Sequence, residues 1–368
     1  MLEHGAPMNA TRLVRVVMIA SPIVLATGAP TEWRTPVKPM MTSSVPLPIE
    51  GELPSLDVGG EWLNSPALSP GSLRGKVVLL DIWNFSCINW IRQLPYVRAW
   101  AEKYKDHGLV VIGVHSPEFG FETRVDNVRR AVKAMNVVYP IVMDSQHAIW
   151  RALDNQAWPA LYFVDARGRI RHHYYGEGAY DQAEEILQQL LAEAGHPGGS
   201  QEVISIDPKG VEAQADWRSL RTPETYVGYE RAENFASPGG PVEDEPADYA
   251  APAKLGLNQW TLSGRWSMGQ EATVLKAPQG RVAFRFHARD LHLVMGSAAA
   301  GASARFRVLI DGRPPGGAHG LDVDGQGNGT VREDRLYQLI RQPGPIQDRT
   351  FEIEFLDAGV EIFSFTFG

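Results

Sequence analysis

The sequence predicts an α/β domain, with a central mixed sheet covered by helices on both faces, followed by an all-β sandwich of jelly-roll type. Two textures carry that expectation. Up to about residue 195, short apolar runs alternate with segments whose apolar residues recur every three or four positions. From residue 216 onward period two takes over. Phe284 and Phe286 alternate with Arg285 and His287, Phe306, Val308 and Ile310 with Arg305 and Arg307, and Phe351, Ile353 and Phe355 with Glu352 and Glu354. Such alternation marks antiparallel strands with one face inward. Gly239-Gly240, Gly316-Gly317 and the Gly-rich stretch 325–329 supply the connections.

Length and charge set the outer bounds. The 368 residues leave room for two domains and a tail. Acidic residues (43) outnumber basic ones (35), for a net charge of −8, which argues against nucleic acid as a partner. One cysteine excludes an intrachain disulfide framework. Arg12 and Arg15 precede an apolar run at 16–25 and the small residues Ala26, Thr27, Gly28 and Ala29. That is the order of a secretory signal peptide, and it is shorter than the ~20 residues of a membrane-spanning helix. We therefore expect residues 1–29 to export or anchor the chain on the outer side of the cytoplasmic membrane, with no other membrane-spanning segment. Residues 30–52 read as a linker, 53–195 as the α/β domain, 196–215 as a second linker and 216–368 as the sandwich. No phosphate loop or metal-ligand spacing stands out, so no cofactor is expected.

Within the α/β part, an apolar run at 77–80 ends in Asp81-Ile82-Trp83. Cys87 follows, and then a helical pattern through Ile91, Leu94, Val97 and Trp100. A helix N-terminus carries free N–H groups and partial positive charge, which favour thiolate over thiol. Residues 109–115 read as a strand, 121–136 as an amphipathic helix with Val125, Val128, Val132 and Met135 inward, 139–143 as a strand and 145–153 as a short helix. Strands at 161–164 and 170–174 flank the turn Asp165-Ala166-Arg167-Gly168, and a helix at 180–194 closes the unit with Ile186, Leu187, Leu190 and Leu191 on one stripe.

The stretch 81–90, DIWNFSCINW, resembles the active-site strand and turn of thioredoxin-fold redox proteins, D-x-W-x-x-x-C-x-x-C. The resemblance implies that Asp81 is the buried acid that helps deprotonate the resolving cysteine, Trp83 the tryptophan beside the turn, and Cys87 the attacking cysteine. Trp90 stands where the resolving cysteine belongs. Trp158-Pro159 matches the family's proline, which lies opposite the active cysteine after a cis bond and presents backbone groups to a bound peptide. WLNSPALSPGSLRGKVVLL (62–80) resembles the lead-in hairpin of the redoxin branch. TYVGYERAENFASPGG (225–240) and the last 33 residues, 336–368, resemble the C-terminal domain of DipZ-type proteins. In that family a thioredoxin-like module is joined to a carbohydrate-binding-like sandwich, often behind a membrane electron-transfer domain, which this chain lacks.

The resemblance implies a thiol–disulfide oxidoreductase of the cell envelope with a C-x-x-W site, Cys87 acting as a monothiol. A protein thiol or disulfide, or a low-molecular-weight thiol, would be its partner and would supply the second sulfur. A second reading is a redox-inactive binding or scaffold protein that recognises an envelope protein or a glycan, with Trp90 shielding Cys87. A third is a one-cysteine peroxidase, although Asn84-Phe85-Ser86 before Cys87 does not match the P-x-x-x-T-x-x-C arrangement. Each residue also has a plain packing role. A lone cysteine behaves as a small hydrophobe, Asp81 as a hydrogen-bonded buried acid, and Trp90 as filler for the missing thiol. His115 and Glu118 fall at the end of a strand that finishes on the Cys87 side. Asp322-Val323-Asp324-Gly325 reads as a turn, without the ligand spacing of a calcium loop. Trp260, Trp266, Tyr226 and Tyr229 form either core and rim packing or a sugar-stacking platform; fold class does not decide between them.

Overall fold

The computed structural model describes residues 46–196, 201–297, 299 and 301–368; the export-like segment 1–29 and most of the linker 30–52 fall outside them. The first sheet is built from β1 (Gly51–Glu52), β2 (Trp62–Leu63), β3 (Val77–Trp83), β4 (Leu109–His115), β5 (Ile141–Met143), β6 (Ala160–Val164) and β7 (Arg169–Tyr175). Their order across the sheet is β1-β7-β6-β3-β4-β5-β2. Strands β3, β4 and β5 are parallel, while β6 and β7 run antiparallel beside them. The helices are α1 (Pro70–Leu73), α2 (Ile88–Tyr104), α3 (Val125–Ala134), α4 (Ala148–Ala152) and α5 (Tyr180–Glu193).

All seven residues of β3 are buried, which explains why it reads as a continuous apolar run. Val77, Leu79 and Trp83 enter the core shared with α2, α3 and α5. Val78, Leu80 and Ile82 enter the core on the other face, with Ile112, Val114 and Ile149. The same period of two points Asp81 at α2.

Two helix starts differ from the sequence pattern, each because a carboxylate claims backbone N–H groups. Residues 120–123 form a 3-10 turn instead of opening α3, held by Glu122, whose carboxylate accepts the N–H of Glu118 and Phe119 at 2.7 and 3.1 Å. Helix α4 begins only at Ala148, where Asp144 accepts the N–H of Ile149 and Trp150 at 3.0 and 2.8 Å.

The second sheet comprises β8 (Thr225–Tyr226), β9 (Pro246–Tyr249), β10 (Trp260–Met268), β11 (Thr273–Leu275), β12 (Gly280–Phe286), β13 (Asp290–Ser297), β14 (Ala304–Ile310), β15 (Asn328–Val331), β16 (Arg335–Arg341), β17 (Arg349–Phe355) and β18 (Val360–Phe367). It is one antiparallel hydrogen-bonded sheet curled into two layers, in the order β15-β14-β17-β12-β10-β11-β18-β13-β16. Strand β10 makes the corner. Its first half pairs with β12 and its second with β9 and β11, and Gly264 sits at the change with φ of 93°. A side chain there would meet the Gly280 backbone at 3.1 Å. Trp260, Trp266, Phe284, Phe351 and Phe365, all wholly buried, fill the space between the layers.

The two sheets share a core. Val294, Leu336 and Phe363, on the outer face of the curled sheet, pack into the cluster that holds α2 and α3. Pairing between β13 and β18 skips Phe363, because Val294 faces Ser364 and Met295 faces Ile362. The bulge turns that ring outward, to 5.1 Å from the Phe119 ring and 4.9 Å from Phe121. Arg92 of α2 is also buried at this seam, donating to Glu177 at 3.0 Å and to the Phe367 carbonyl at 3.3 Å. Removing the Phe363 ring should therefore unpack both sheets. Phe363→Ala is expected to lower the unfolding free energy by ~3–5 kcal/mol, read from denaturant curves. Leu356→Ala, at an exposed site, is the control and should stay within ~0.5 kcal/mol of the parent.

Candidate active site

Cys87 is the N-cap of α2, in extended backbone with φ −74° and ψ 112°. Its carbonyl accepts the N–H of Ile91 at 3.0 Å and so starts the helix. The sulfur makes no capping hydrogen bond, although the N–H groups of Trp90 and Asn89 favour its ionised form. Burial outweighs them, and the carboxylates of Glu224 and Glu118 add to it. The thiol is held well above the ordinary cysteine range, in the opposite direction to an activated nucleophile.

Trp90 is both a packing ring and a hydrogen-bond donor. Its ring is wholly buried, stacks on Trp83 with centroids 4.1 Å apart, and donates Nε1–H to Asp81 Oδ2 at 3.0 Å. The Tyr139 hydroxyl donates to the same oxygen at 3.1 Å, and Gln93 Nε2–H to Oδ1 at 3.1 Å. Gly113, paired with Asp81 across β3 and β4, leaves room for these rings, since a Cβ there would lie 2.8 Å from Trp83 Nε1. Burial raises the Asp81 carboxyl to about 6, while its three donors pull the other way. The acid is thus enclosed under Trp90.

A second buried acid ties the turn to its neighbours. Glu122 Oε1 accepts the Ser86 hydroxyl at 2.7 Å and the Ser86 N–H at 3.2 Å, while Oε2 holds the 118–119 backbone. Burial pushes its carboxyl up to about 7. Glu118, positioned by that loop, accepts the Tyr226 hydroxyl at 2.6 Å and Arg231 Nη1–H at 2.9 Å, both from the all-β part.

Cys87, Glu118 and Trp158 open onto one cavity of about 220 Å³, whose opposite wall is Trp217, Leu220, Glu224, Tyr226 and Thr366. The Trp158–Pro159 bond is cis. Trp158 Nε1–H donates to the Ser116 carbonyl at 2.9 Å, and Pro159 is buried. His115 is wholly buried, edge-on to Trp83 at 4.7 Å and stacked on Phe85. Both of its ring nitrogens lack a partner, and burial lowers its pKa to about 3, so it is a neutral packing residue. Trp260 and Trp266 are buried in the second core, so they form no sugar-stacking surface with Tyr226 and Tyr229. Asp324 caps its own turn, accepting the N–H of Gln326 and Asn328 at 2.9 and 2.8 Å.

Sequence reasoning missed Glu122, Gln93, Tyr139, Trp217, Glu224 and Thr366. Glu122 left no usable local signal, because Phe119, three residues before it, lacks the hydroxyl that marks a capping box. The others are brought in by tertiary packing.

Comparison with known proteins fits this geometry. Residues 60–173 match the AhpC/TSA family, and residues 222–368 match the family described as Thioredoxin like C-terminal domain. Protein DipZ of Mycobacterium tuberculosis is 34% identical over 325 residues, covering 86% of this chain and 43% of that protein. NHL repeat-containing protein 2 of Homo sapiens is 38% identical over 133 residues, 35% of this chain and 18% of that protein. Thiol-disulfide oxidoreductase YkuV of Bacillus subtilis is 28% identical over 141 residues, 38% of this chain and 95% of that protein. The chain spans less than half the length of DipZ, and across that span it is a DipZ homologue made of a thioredoxin-like α/β part and an all-β part.

The enclosure of Asp81 predicts a pH dependence. Its carboxyl is near 3.8 when exposed and about 6 in the fold, so the folded state holds the proton more tightly. The contribution to stability is full below pH 3.8 and is lost as pH rises through 6. Asp81→Asn removes that titration. The stability gap between parent and variant should shift by about 3 kcal/mol in the variant's favour between acid and neutral pH, measured by urea titration. An unchanged gap would mean that Asp81 is solvated.

Proposed function

We propose that this DipZ homologue carries out thiol–disulfide exchange through Cys87 alone. The observation that carries the reading is the thiol's place at the start of α2, opening onto the cavity beside the cis Trp158–Pro159 turn. The family match and the 28% identity to a thiol-disulfide oxidoreductase support it. In the forward step the Cys87 thiolate attacks one sulfur of a disulfide. A Cys87–sulfur bond forms, the substrate S–S bond breaks, and the departing thiolate leaves with the electron pair and takes a proton from water. Trp90 has no sulfur, so a thiol from a second molecule must release the adduct. Asp81, sealed under Trp90, has no resolving thiol to deprotonate and acts as an anchor for the turn. The Arg12–Ala29 segment supports export, with exchange outside the cytoplasm.

The raised thiol and the buried Trp90 favour a second reading, a binding protein on a redox-silent scaffold, its partner a protein or a glycan. The peroxidase reading is weaker, because it calls for cations around the thiolate and no Lys, Arg or His lines the cavity among the described residues.

Mass spectrometry of the folded protein with excess bis(2-hydroxyethyl) disulfide separates the first two. Exchange at Cys87 predicts a single adduct, slow at pH 7 and about tenfold faster per pH unit, still rising above ~8.5. A folded chain that forms no adduct at any pH, while the denatured chain labels fully, would leave the binding scaffold.

A further inference from the structure

The cavity has a chemical bias of its own. Two carboxylates, Glu118 and Glu224, and three aromatic rings, Trp158, Trp217 and Tyr226, stand in its wall with Cys87. No basic side chain lines it among the described residues. Arg231 is committed to Glu118 at 2.9 Å and to the Tyr226 ring, 3.5 Å from its centroid. Glu224, at the mouth, forms no ion pair among the described residues, and its enclosure together with the Glu118 carboxylate pushes its carboxyl up to about 8, so its charge is complete only in alkaline solution. Trp217 is 58% exposed, a large ring left open at the rim. On the inner wall Thr366 is only 5% exposed, and its Oγ1 has no hydrogen-bond partner. A buried hydroxyl without a partner marks where a ligand atom completes the wall.

We propose that this cavity selects low-molecular-weight disulfides that carry positive charge next to sulfur, an inference that rests on the Cys87 exchange reading. Above pH 8, where Glu224 is ionised and Arg231 offsets only Glu118, a cation in the cavity meets a net negative wall, and its attraction there outlasts the screening of open water. The Trp158 and Trp217 rings in the lining add aromatic surface for it, and Thr366 Oγ1 accepts from a water that hydrates it. An anionic disulfide meets like charge at the same point. The cavity's size and its roof of residues 217–226 favour a small molecule over a folded partner. The chemistry is one exchange. Cys87 sulfur bonds to one substrate sulfur, the S–S bond breaks, and the cationic thiol leaves as thiolate and takes a proton from solvent.

The test measures adduct formation at Cys87 in the full chain with three disulfides. These are the disulfide of thiocholine (a permanent dication), bis(2-hydroxyethyl) disulfide (neutral) and 3,3′-dithiodipropionate (a dianion), each rate divided by that of a neutral free thiol such as N-acetylcysteine amide. At pH 9, where Glu224 is ionised, we expect the dication to exceed the dianion by about tenfold at low salt. The gap should close toward parity in about 1 M salt, where the screening length falls to ~3 Å. Glu224→Gln should narrow the gap between dication and dianion at pH 9, because it removes one of the two carboxylates that attract the cation. Equal normalised rates, or a faster dianion, would overturn the inference and leave exchange standing. No adduct with any of the three would overturn both. A lysine-flanked cystine peptide that outpaces the small dication would also overturn it, reassigning the cavity to a protein partner.

Discussion

One buried carboxylate sets the shape of this site. Asp81 sits in the middle of a strand with no exposed residue, and an ionised acid there is tolerated only with its oxygens satisfied. Trp90, Gln93 and Tyr139 meet that need from α2 and from the segment leading into β5. The Trp90 donor joins the first turn of α2, where Cys87 is the N-cap, to the sheet.

Cys87 faces the other half of the molecule. Phe363 at the β18 bulge, Arg92 under Phe367, and Glu118 beneath Tyr226 and Arg231 fasten the curled sheet over the thiol. The helix N-terminus pulls toward thiolate, while burial and two carboxylates push harder the other way. The α/β part supplies the sulfur, and the all-β part supplies much of the environment that decides what reaches it.

The sequence showed β3, α2 and Cys87 well, because a fully buried strand and a helical stripe are local patterns. The period-two strands of the second half were equally legible, since each has one inward face. Their closure into one curled sheet was not, because it depends on the strand switch at Gly264 and on pairing between distant segments. The starts of α3 and α4 were lost to Glu122 and Asp144, whose capping reaches backbone groups that a propensity pattern treats as free. The stretch 196–215 reads as a linker from composition, yet Glu212 pairs with Arg98 at 2.6 Å and Gln214 donates to the Tyr96 hydroxyl at 2.7 Å. Its few apolar residues, Ile204, Ile206 and Val211, pack on the first core. The fate of Trp260 and Trp266 depended on which face of a strand is covered, and aromatic content alone does not carry that information.

Trp90 also makes a second sulfur at its position costly. Placing a cysteine there would exchange a wholly buried indole for a side chain less than half its size. Trp83 would lose its stacking partner, and Asp81 one of its three donors. The single change that completes the dithiol motif therefore weakens the core that presents it. A dithiol site here would require the space between Trp83, Asp81 and Tyr139 to be repacked as well, so the sequence motif understates by more than one residue what such a site would need.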